Sequence, residues 1–120
     1  MKILVVDDSK SIRSLIDFSL SELPDVELTF AEDGLDAIEK LNTLVPDLIL
    51  TDVNMPHMDG ITLTSKCRQE LSITCPILIL TTEGDRKKKN AGKSAGATGW
   101  IIKPFAPEKL KSVIQRFLKS

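Results

Sequence analysis

The sequence is poor in the residues that build disulfide frameworks and most transition-metal sites. Among its 120 residues are two cysteines, Cys67 and Cys75, and one histidine, His57. Two cysteines this close in sequence are too few for a disulfide framework or a four-ligand zinc site, so we expect reduced thiols. A single histidine likewise excludes a histidine-rich metal site.

Long apolar runs are also missing. No stretch approaches the ~20 apolar residues that a helix needs to cross a bilayer. The apolar run "KILVV" near the amino terminus meets two aspartates too early for a signal peptide. We therefore expect a cytoplasmic protein with no membrane partner. The length of 120 residues and the hydrophobic share of 42% predict one globular domain over residues 1–120.

Charge is unevenly distributed, although the net charge is only −1. Residues 1–85 contain 6 Lys/Arg and 16 Asp/Glu, a balance of −10, whereas residues 86–120 contain 10 Lys/Arg and 1 Asp/Glu, a balance of +9. The basic run "RKKK" at 86–89 lacks the interleaved aromatic residues of nucleic-acid-binding domains. A solvated helix face or a protein-docking surface is the better interpretation, so we expect no direct DNA binding.

Short apolar runs alternate with amphipathic segments along the chain. The runs predict five strands, at 3–6, 26–31, 48–51, 77–80 and 100–102. Apolar residues at helical spacing, together with one polar segment, predict five helices, near 12–23, 35–44, 61–71, 86–95 and 108–118. In the second helix the apolar stripe consists of Leu35, Ile38, Leu41 and Leu44. Such alternation implies right-handed crossovers, hence an α/β fold with a doubly wound, five-stranded parallel sheet.

Polar residues stand where the predicted strands end, and in an open parallel sheet ligands bind beyond those carboxyl ends. These residues are Asp7, Asp8, Asp52, Thr81, Glu83 and Lys103. Each alone has an ordinary interpretation, such as helix capping or turn formation. Gathered at one edge, three carboxylates and one lysine carry two uncompensated negative charges. A hard cation with oxygen ligands is therefore expected, and Mg²⁺ suits a site shared by carboxylates and a phosphate.

A carboxylate beside Mg²⁺ can act as a nucleophile toward a phosphoryl group. Asp52 ends the third strand and is placed to form an acyl phosphate. Mg²⁺ and Lys103 would neutralise the phosphoryl oxygens during transfer.

Four motifs of the sequence resemble the receiver domain of two-component response regulators. They are "VVDD" at 5–8, "LILTDVNMPHMDG" at 48–60, "LTTE" at 80–83 and "GWIIKPF" at 99–105. The resemblance covers essentially the whole chain and is nearest to the single-domain chemotaxis regulators of the CheY type. It implies a flavodoxin-like sheet with strand order 2-1-3-4-5.

The resemblance also implies a role for each carboxylate. Asp52 would be the phosphoacceptor, and Asp8 and Asp52 would bind Mg²⁺ directly. Asp7 would act partly through water, and the backbone carbonyl of Asn54 would complete the protein ligands.

Further roles follow from the same resemblance. The hydroxyl of Thr81 would contact the phosphoryl group, and Lys103 would pair with it. Asn54 and Glu83 would tune the lifetime of the acyl phosphate, with comparatively fast self-dephosphorylation expected. The peptide bond between Lys103 and Pro104 would be cis.

Two positions depart from the commonest family pattern. Thr82 is bulkier than the small residue often found there, which bears on how a phosphodonor reaches Asp52. Trp100 stands at the aromatic switch position, where Tyr or Phe is usual.

The partners expected from the resemblance are a histidine kinase of the CheA type, an output protein such as a flagellar motor switch component, and a phosphatase. We expect no effector domain after Ser120, so that the output is binding to another protein rather than to DNA. We also expect a monomer. An intermediate of a phosphorelay is an alternative. A small Mg²⁺-dependent aspartyl phosphohydrolase is a further one, but Asn54 stands where its second acid is needed, and 120 residues leave no room for a cap.

Overall fold

The five apolar runs form one parallel sheet in the computed structural model, which describes residues 1–82 and 86–118. The strands are β1 (Lys2–Val6), β2 (Glu27–Ala31), β3 (Leu48–Asp52), β4 (Ile77–Thr82) and β5 (Gly99–Lys103). Their spatial order is β2-β1-β3-β4-β5, and every neighbouring pair is parallel. The predicted α/β fold with strand order 2-1-3-4-5 is therefore confirmed.

A helix follows each strand. The helices are α1 (Lys10–Leu20), α2 (Gly34–Leu41), α3 (Gly60–Gln69), α4 (Arg86–Ala95) and α5 (Pro107–Leu118). The first three begin at side-chain caps, in which Ser9, Asp33 and Asp59 each accept a hydrogen bond from the backbone N–H three residues later. Within the described ranges, none of these helices combines the length and apolar character that a membrane span requires.

The sheet is covered on both faces because alternate strand residues point to opposite sides. On one face Ile3 packs with Ile16 of α1 and Ile114 of α5. On the other, Leu4 packs with Leu63 of α3, and α2 joins the same cluster. Burial of both faces leaves the carboxyl edge of the sheet as the exposed place where polar side chains can gather.

The buried face of α2 differs from the predicted stripe. Leu35 is 53% exposed, whereas Ile38, Leu41 and Leu44 contact the core. The helix begins at Gly34, which is buried together with Ala37. Positions three, four and seven residues after Gly34 share its face, while Leu35 is turned about 100° away from it. The prediction for Leu35 was wrong because the buried face is centred on Gly34, Ala37 and Leu41, and Leu35 lies to one side of it.

Arg68 of α3 holds the carboxyl end of α4 against the start of β4. Its guanidinium donates hydrogen bonds to the carbonyl of Gly96 at 3.0 Å and to the carbonyls of Ile73 and Cys75, both at 2.8 Å. Gly96 follows α4 directly and has a φ of 107°, a conformation that favours glycine. These contacts fix the position of α4 at its carboxyl end.

In the middle of α4, the lack of a side chain at Gly92 lets the helix backbone pack closely on the sheet. A Cβ atom on Gly92 would overlap Cη2 of Trp100 and lie 3.1 Å from Cδ1 of Ile79. The indole ring of Trp100 is therefore seated directly against the backbone of α4. The glycine, which the sequence alone marks only as a weak helix former, makes room for this ring.

We predict that Gly92→Ala destabilises the protein. In a helix interior, alanine is normally more stabilising than glycine by about 1 kcal/mol. Here the added methyl group would overpack against Trp100, at a cost of about 1–3 kcal/mol. The melting temperature should fall by a few degrees, at ~4–8 °C per kcal/mol.

Two matched variants check the cause of that change. Asn90→Ala, at an exposed position of the same helix, should not lower the melting temperature. Gly92→Ala combined with Trp100→Phe should regain stability, since the smaller ring leaves room for the methyl group. A higher melting temperature for Gly92→Ala with Trp100 in place would contradict this description of the packing.

Candidate functional site

Three carboxylates meet at the carboxyl edge of the sheet, where β1 and β3 are neighbours. One carboxylate oxygen from each of Asp7, Asp8 and Asp52 lies within 4.8 Å of the other two. Asp7 is completely buried, Asp52 is 8% exposed, and Asp8 is exposed. Three negative charges therefore share a small volume that water reaches mainly from the side of Asp8.

Lys103, the last residue of β5, reaches across β4 to this cluster. Its Nζ atom lies 2.9 Å from Oδ1 of Asp52 and 3.6 Å from Oδ2 of Asp7. The peptide bond to Pro104 is cis, as the family resemblance implied. One ammonium among three carboxylates leaves an excess of two negative charges, and this excess favours binding of a divalent cation.

Asp7 has an oxygen that the protein does not satisfy. Its Oδ1 accepts a hydrogen bond from the backbone N–H of Ser9 at 2.8 Å. Its Oδ2 is buried and has no hydrogen-bond partner within residues 1–82 and 86–118. Burial raises the pKa of Asp7, the charges of Asp52 and Asp8 raise it further, and the Ser9 hydrogen bond and Lys103 oppose this rise. A buried carboxylate oxygen that has only the Lys103 ammonium at 3.6 Å and no hydrogen bond is unfavourable, and a metal ion bound to it would remove the penalty.

The backbone that carries Asp52 is held closely by the loop that follows β3. The N–H of Val53 donates to Oδ1 of Asp52 at 2.9 Å, and the N–H of Gly60 donates to the carbonyl of Val53 at 2.8 Å. A Cβ atom on Gly60 would collide with the carbonyl oxygen of Asp52 and lie 2.9 Å from its carbonyl carbon. Gly60 thus lets the loop fold back over the end of β3, and this fixes the direction of the Asp52 side chain.

The fourth strand places its two threonines differently. Thr81 is buried at 3% exposure, in the strand that lies between β3 and β5. Thr82 is exposed and pairs in register with Lys103. Glu83, expected to tune the site, lies outside the described residues.

Asn54 and Trp100 both lie beside α4, at residues one helical turn apart. Asn54, two residues after Asp52, is exposed, and its Oδ1 accepts a hydrogen bond from Nζ of Lys88 at 2.8 Å. Trp100 is partly buried against Gly92. The sequence-based site residues other than Trp100 and Glu83 are thus found at or beside the carboxyl edge of the sheet.

Sequence reasoning missed three residues that act on this site. Ser9 and Arg13 hold Asp7, the first through its backbone N–H and the second through a 2.6 Å hydrogen bond from Nη1 to the Asp7 carbonyl. An Asp two residues before a helix-capping Ser is a recognisable turn pattern, so Ser9 could have been found. The contact between Lys88 and Asn54 joins positions 34 residues apart and has no local signal.

The protein also has a cavity of about 460 Å³, at the opposite edge of the sheet. Residues 44–47 before β3 and 71–76 before β4 form much of its wall. It lies beyond the amino ends of these strands, so it does not lead to the carboxylate cluster.

Comparison with known proteins agrees with this arrangement. Residues 3–115 match the response regulator receiver domain family. The chain belongs to this family. It is 39% identical over 117 residues to the chemotaxis protein CheY1 of Helicobacter pylori, an alignment that covers 96% of this chain and 94% of that protein.

Solved structures of receivers also resemble this chain in fold. The chemotaxis response regulator CheY4 of Vibrio cholerae superposes with a TM-score of 0.88 at 43% identity, over 97% of each chain. The receiver domain of the sensor histidine kinase PA1611 of Pseudomonas aeruginosa, which has a magnesium ion coordinated in its active-site cleft, superposes with a TM-score of 0.86. Its identity is 28%, over 99% of this chain and 98% of that one.

Membership of the family defines the general role of the chain. A receiver domain is a phosphoacceptor signalling module rather than a classical enzyme, and receivers interact with histidine kinases. The cluster of Asp7, Asp8 and Asp52 is typical of the Mg²⁺ site of receivers.

We predict that Asp7→Asn stabilises the metal-free protein at neutral pH by about 1–2 kcal/mol. Asparagine keeps the oxygen that accepts from Ser9 and replaces the unpaired, charged oxygen by an amide group. Millimolar Mg²⁺ should raise the melting temperature of the native protein by mass action, and it should raise that of Asp7→Asn much less. The exposed α1 variant Asp17→Asn is the control and should respond to Mg²⁺ as the native protein does.

The pH dependence of this difference has a definite sign. Because the pKa of folded Asp7 is raised above 3.8, the destabilisation that its charge causes grows as the pH rises from 3.8 to the raised value, and it is complete above that value. The stability gap between Asp7→Asn and the native protein should be largest near neutral pH. It should close as the pH falls through the raised pKa, since Asp7 then binds a proton in the folded state. A gap that widens on acidification in metal-free thermal melts would contradict this assignment.

Proposed function

We propose that this receiver is a chemotaxis-type switch that takes a phosphoryl group on Asp52 from a histidine kinase in the presence of Mg²⁺. One observation carries the proposal. Asp52 lies 2.9 Å from the Lys103 ammonium, within a cluster of three carboxylates in which one buried oxygen of Asp7 accepts no hydrogen bond. The site thus contains a nucleophilic carboxylate, an ammonium group that can neutralise negative charge, and oxygen ligands for a metal ion, all close together.

The oxygens of this cluster fit Mg²⁺. Side-chain oxygens of Asp7, Asp8 and Asp52 would hold the ion, together with the backbone carbonyl of Asn54, and the remaining positions suit water and a phosphoryl oxygen. When bound, Mg²⁺ supplies positive charge that offsets both the carboxylates and the phosphoryl oxygens. The magnesium ion in the similar PA1611 receiver supports this choice of metal.

Phosphoryl transfer would proceed at Asp52 by in-line displacement. A bond forms between a carboxylate oxygen of Asp52 and phosphorus as the phosphorus–nitrogen bond of the kinase phosphohistidine breaks. Lys103 forms an ion pair with the free carboxylate of Asp52 and is close enough to stabilise the phosphoryl oxygens after transfer. Thr81, buried in the adjacent strand, is the hydroxyl donor to the transferred group, and exposed Thr82 limits the approach of the donor.

The output would depend on α4 and β5. When Thr81 turns toward the phosphoryl group, space opens beneath α4, and the Trp100 ring beside Gly92 moves inward as the aromatic switch. Asn54 and Glu83 set the lifetime of the acyl phosphate. The similarity to CheY1 and CheY4 supports a CheA-type kinase, an output partner such as a flagellar motor switch component, and a phosphatase that ends the signal. The protein acts in the cytoplasm as a monomer.

We predict that acetyl phosphate with Mg²⁺ adds one phosphoryl group, ~80 Da, to the native protein and none to Asp52→Asn. Asparagine fills the same space but lacks the nucleophilic carboxylate. Intact-mass spectrometry measures the adduct directly. Asp59→Asn is the matched control, because Asp59 lies in the same loop and asparagine is as good a helix cap as aspartate.

The control should be labelled as completely as the native protein. A phosphoryl adduct on Asp52→Asn under the same conditions would remove Asp52 as the acceptor. Omission of Mg²⁺ should suppress labelling of the native protein.

A further inference from the structure

Lys88 joins α4 to the loop beside the carboxylate cluster. Its ammonium donates a 2.8 Å hydrogen bond to Oδ1 of Asn54, which lies two residues after Asp52. Asn54 is exposed and Lys88 is partly buried. The contact therefore lies at the solvent-exposed surface of the β3–α3 loop, close in sequence to Asp52.

The geometry of α4 makes this contact more than a chance surface pair. Lys88 and Gly92 are four residues apart and so share one face of the helix. That face is seated on Trp100 at Gly92, and Arg68 holds the carboxyl end of the helix through Gly96. The position of the Lys88 ammonium is thus set by a helix anchored at two further points.

We propose that Lys88 is a positioning residue that holds the Asn54 side chain away from the water that hydrolyses the acyl phosphate, and so lengthens the life of the phosphorylated state. The inference rests on the proposed function, since it requires phosphorylation of Asp52. It adds a regulatory residue on α4 to the site formed by the strand ends.

The chemistry of hydrolysis explains why the acceptor of Asn54 is important. The oxygen of water bonds to phosphorus, the bond from phosphorus to the Asp52 oxygen breaks, and one proton of the water passes to the surrounding solvent while the other stays on the phosphate. Asp52 leaves as a carboxylate, and inorganic phosphate is released. A side chain that accepts a hydrogen of the attacking water can orient it and draw off its proton. Asn54 has one acceptor atom, Oδ1, and Lys88 takes one of its two lone pairs. Because Lys88 occupies and polarises Oδ1, this atom is a poor partner for the water while the contact lasts.

The contact also connects the lifetime of the phosphoryl group to the position of α4. Displacement of α4 would withdraw Lys88 and free Oδ1 of Asn54, which would speed hydrolysis. A partner that holds α4 in the position described here would protect the acyl phosphate by the same contact.

The test measures the half-life of the acyl phosphate in Mg²⁺ buffer. The full chain is labelled with acetyl phosphate, the donor is removed by desalting, and intact mass is followed with time. Lys88→Met should shorten the half-life by roughly two- to fivefold, the range that an exposed charge-assisted contact can supply. Lys88→Arg, which still donates, should restore the half-life to within about twofold of the native value.

Two further variants separate this role from general effects of charge. Lys87→Met removes the same charge from an exposed neighbouring position of α4 and should leave the half-life unchanged. In an Asn54→Ala background, Lys88→Met should produce no further shortening, because the atom that Lys88 occupies is absent.

Each outcome is decisive. An unchanged or longer half-life for Lys88→Met, or the same shortening with and without Asn54, would overturn the inference while leaving phosphorylation of Asp52 intact. A native protein that takes up no phosphoryl group would instead reject the proposed function, and with it this inference.

Discussion

The crowding of three carboxylates around one ammonium is the constraint on which the rest of the structure depends. Parallel strand pairing brings the ends of β1 and β3 together, and this places Asp7, Asp8 and Asp52 within 4.8 Å. Lys103 reaches them from β5 and compensates only part of their charge. The fold tolerates the remainder because Asp8 faces water, and because an added cation can bind. A site that is electrostatically incomplete without its ligands is well suited to respond when they bind.

The surrounding backbone keeps this unfavourable arrangement in place. Arg13 and Ser9 hold the main chain and one carboxylate oxygen of Asp7, while Gly60 allows the loop after β3 to press against the carbonyl of Asp52. Such contacts stop the carboxylates from moving apart to relieve their repulsion. The free energy of that repulsion is then available to favour binding of a divalent cation.

The same edge of the sheet is connected to α4 at two places. The first is Trp100 of β5, the strand that ends in Lys103, whose ring packs against Gly92. The second is Lys88, which contacts Asn54 in the loop after Asp52. A change of charge at Asp52 can therefore reach α4 through β5 or through the loop. In turn, the proposed role of Lys88 would let the position of α4 influence hydrolysis at Asp52. This reciprocity is the general expectation when two sites bias one movable element.

Much of the fold and of the carboxylate cluster could be predicted from the sequence. The apolar runs located all five strands because a sheet buried on both faces needs continuous apolar segments. Asp7, Asp8 and Asp52 could be placed together because parallel strands end at one edge. Leu35 was misplaced because the small residues Gly34 and Ala37, which an apolar stripe does not count, define the buried face of its helix.

Contacts that depend on packed geometry could not be predicted. Arg68 binds the carbonyls of Gly96, Ile73 and Cys75 only because α3, α4 and β4 converge there. The fit of Trp100 against Gly92 likewise depends on the distance between a helix and a strand, which no local pattern encodes.

The central claim is that the unpaired oxygen of Asp7 and its two neighbouring carboxylates form one divalent-cation site. The most direct measurement is anomalous scattering from a crystal soaked in Mn²⁺, which accepts the same oxygen ligands as Mg²⁺. We expect one strong peak among the carboxylates of Asp7, Asp8 and Asp52, and its loss in Asp7→Asn crystals. A peak elsewhere on the protein, or a peak at this site that persists at full height in Asp7→Asn, would contradict the account.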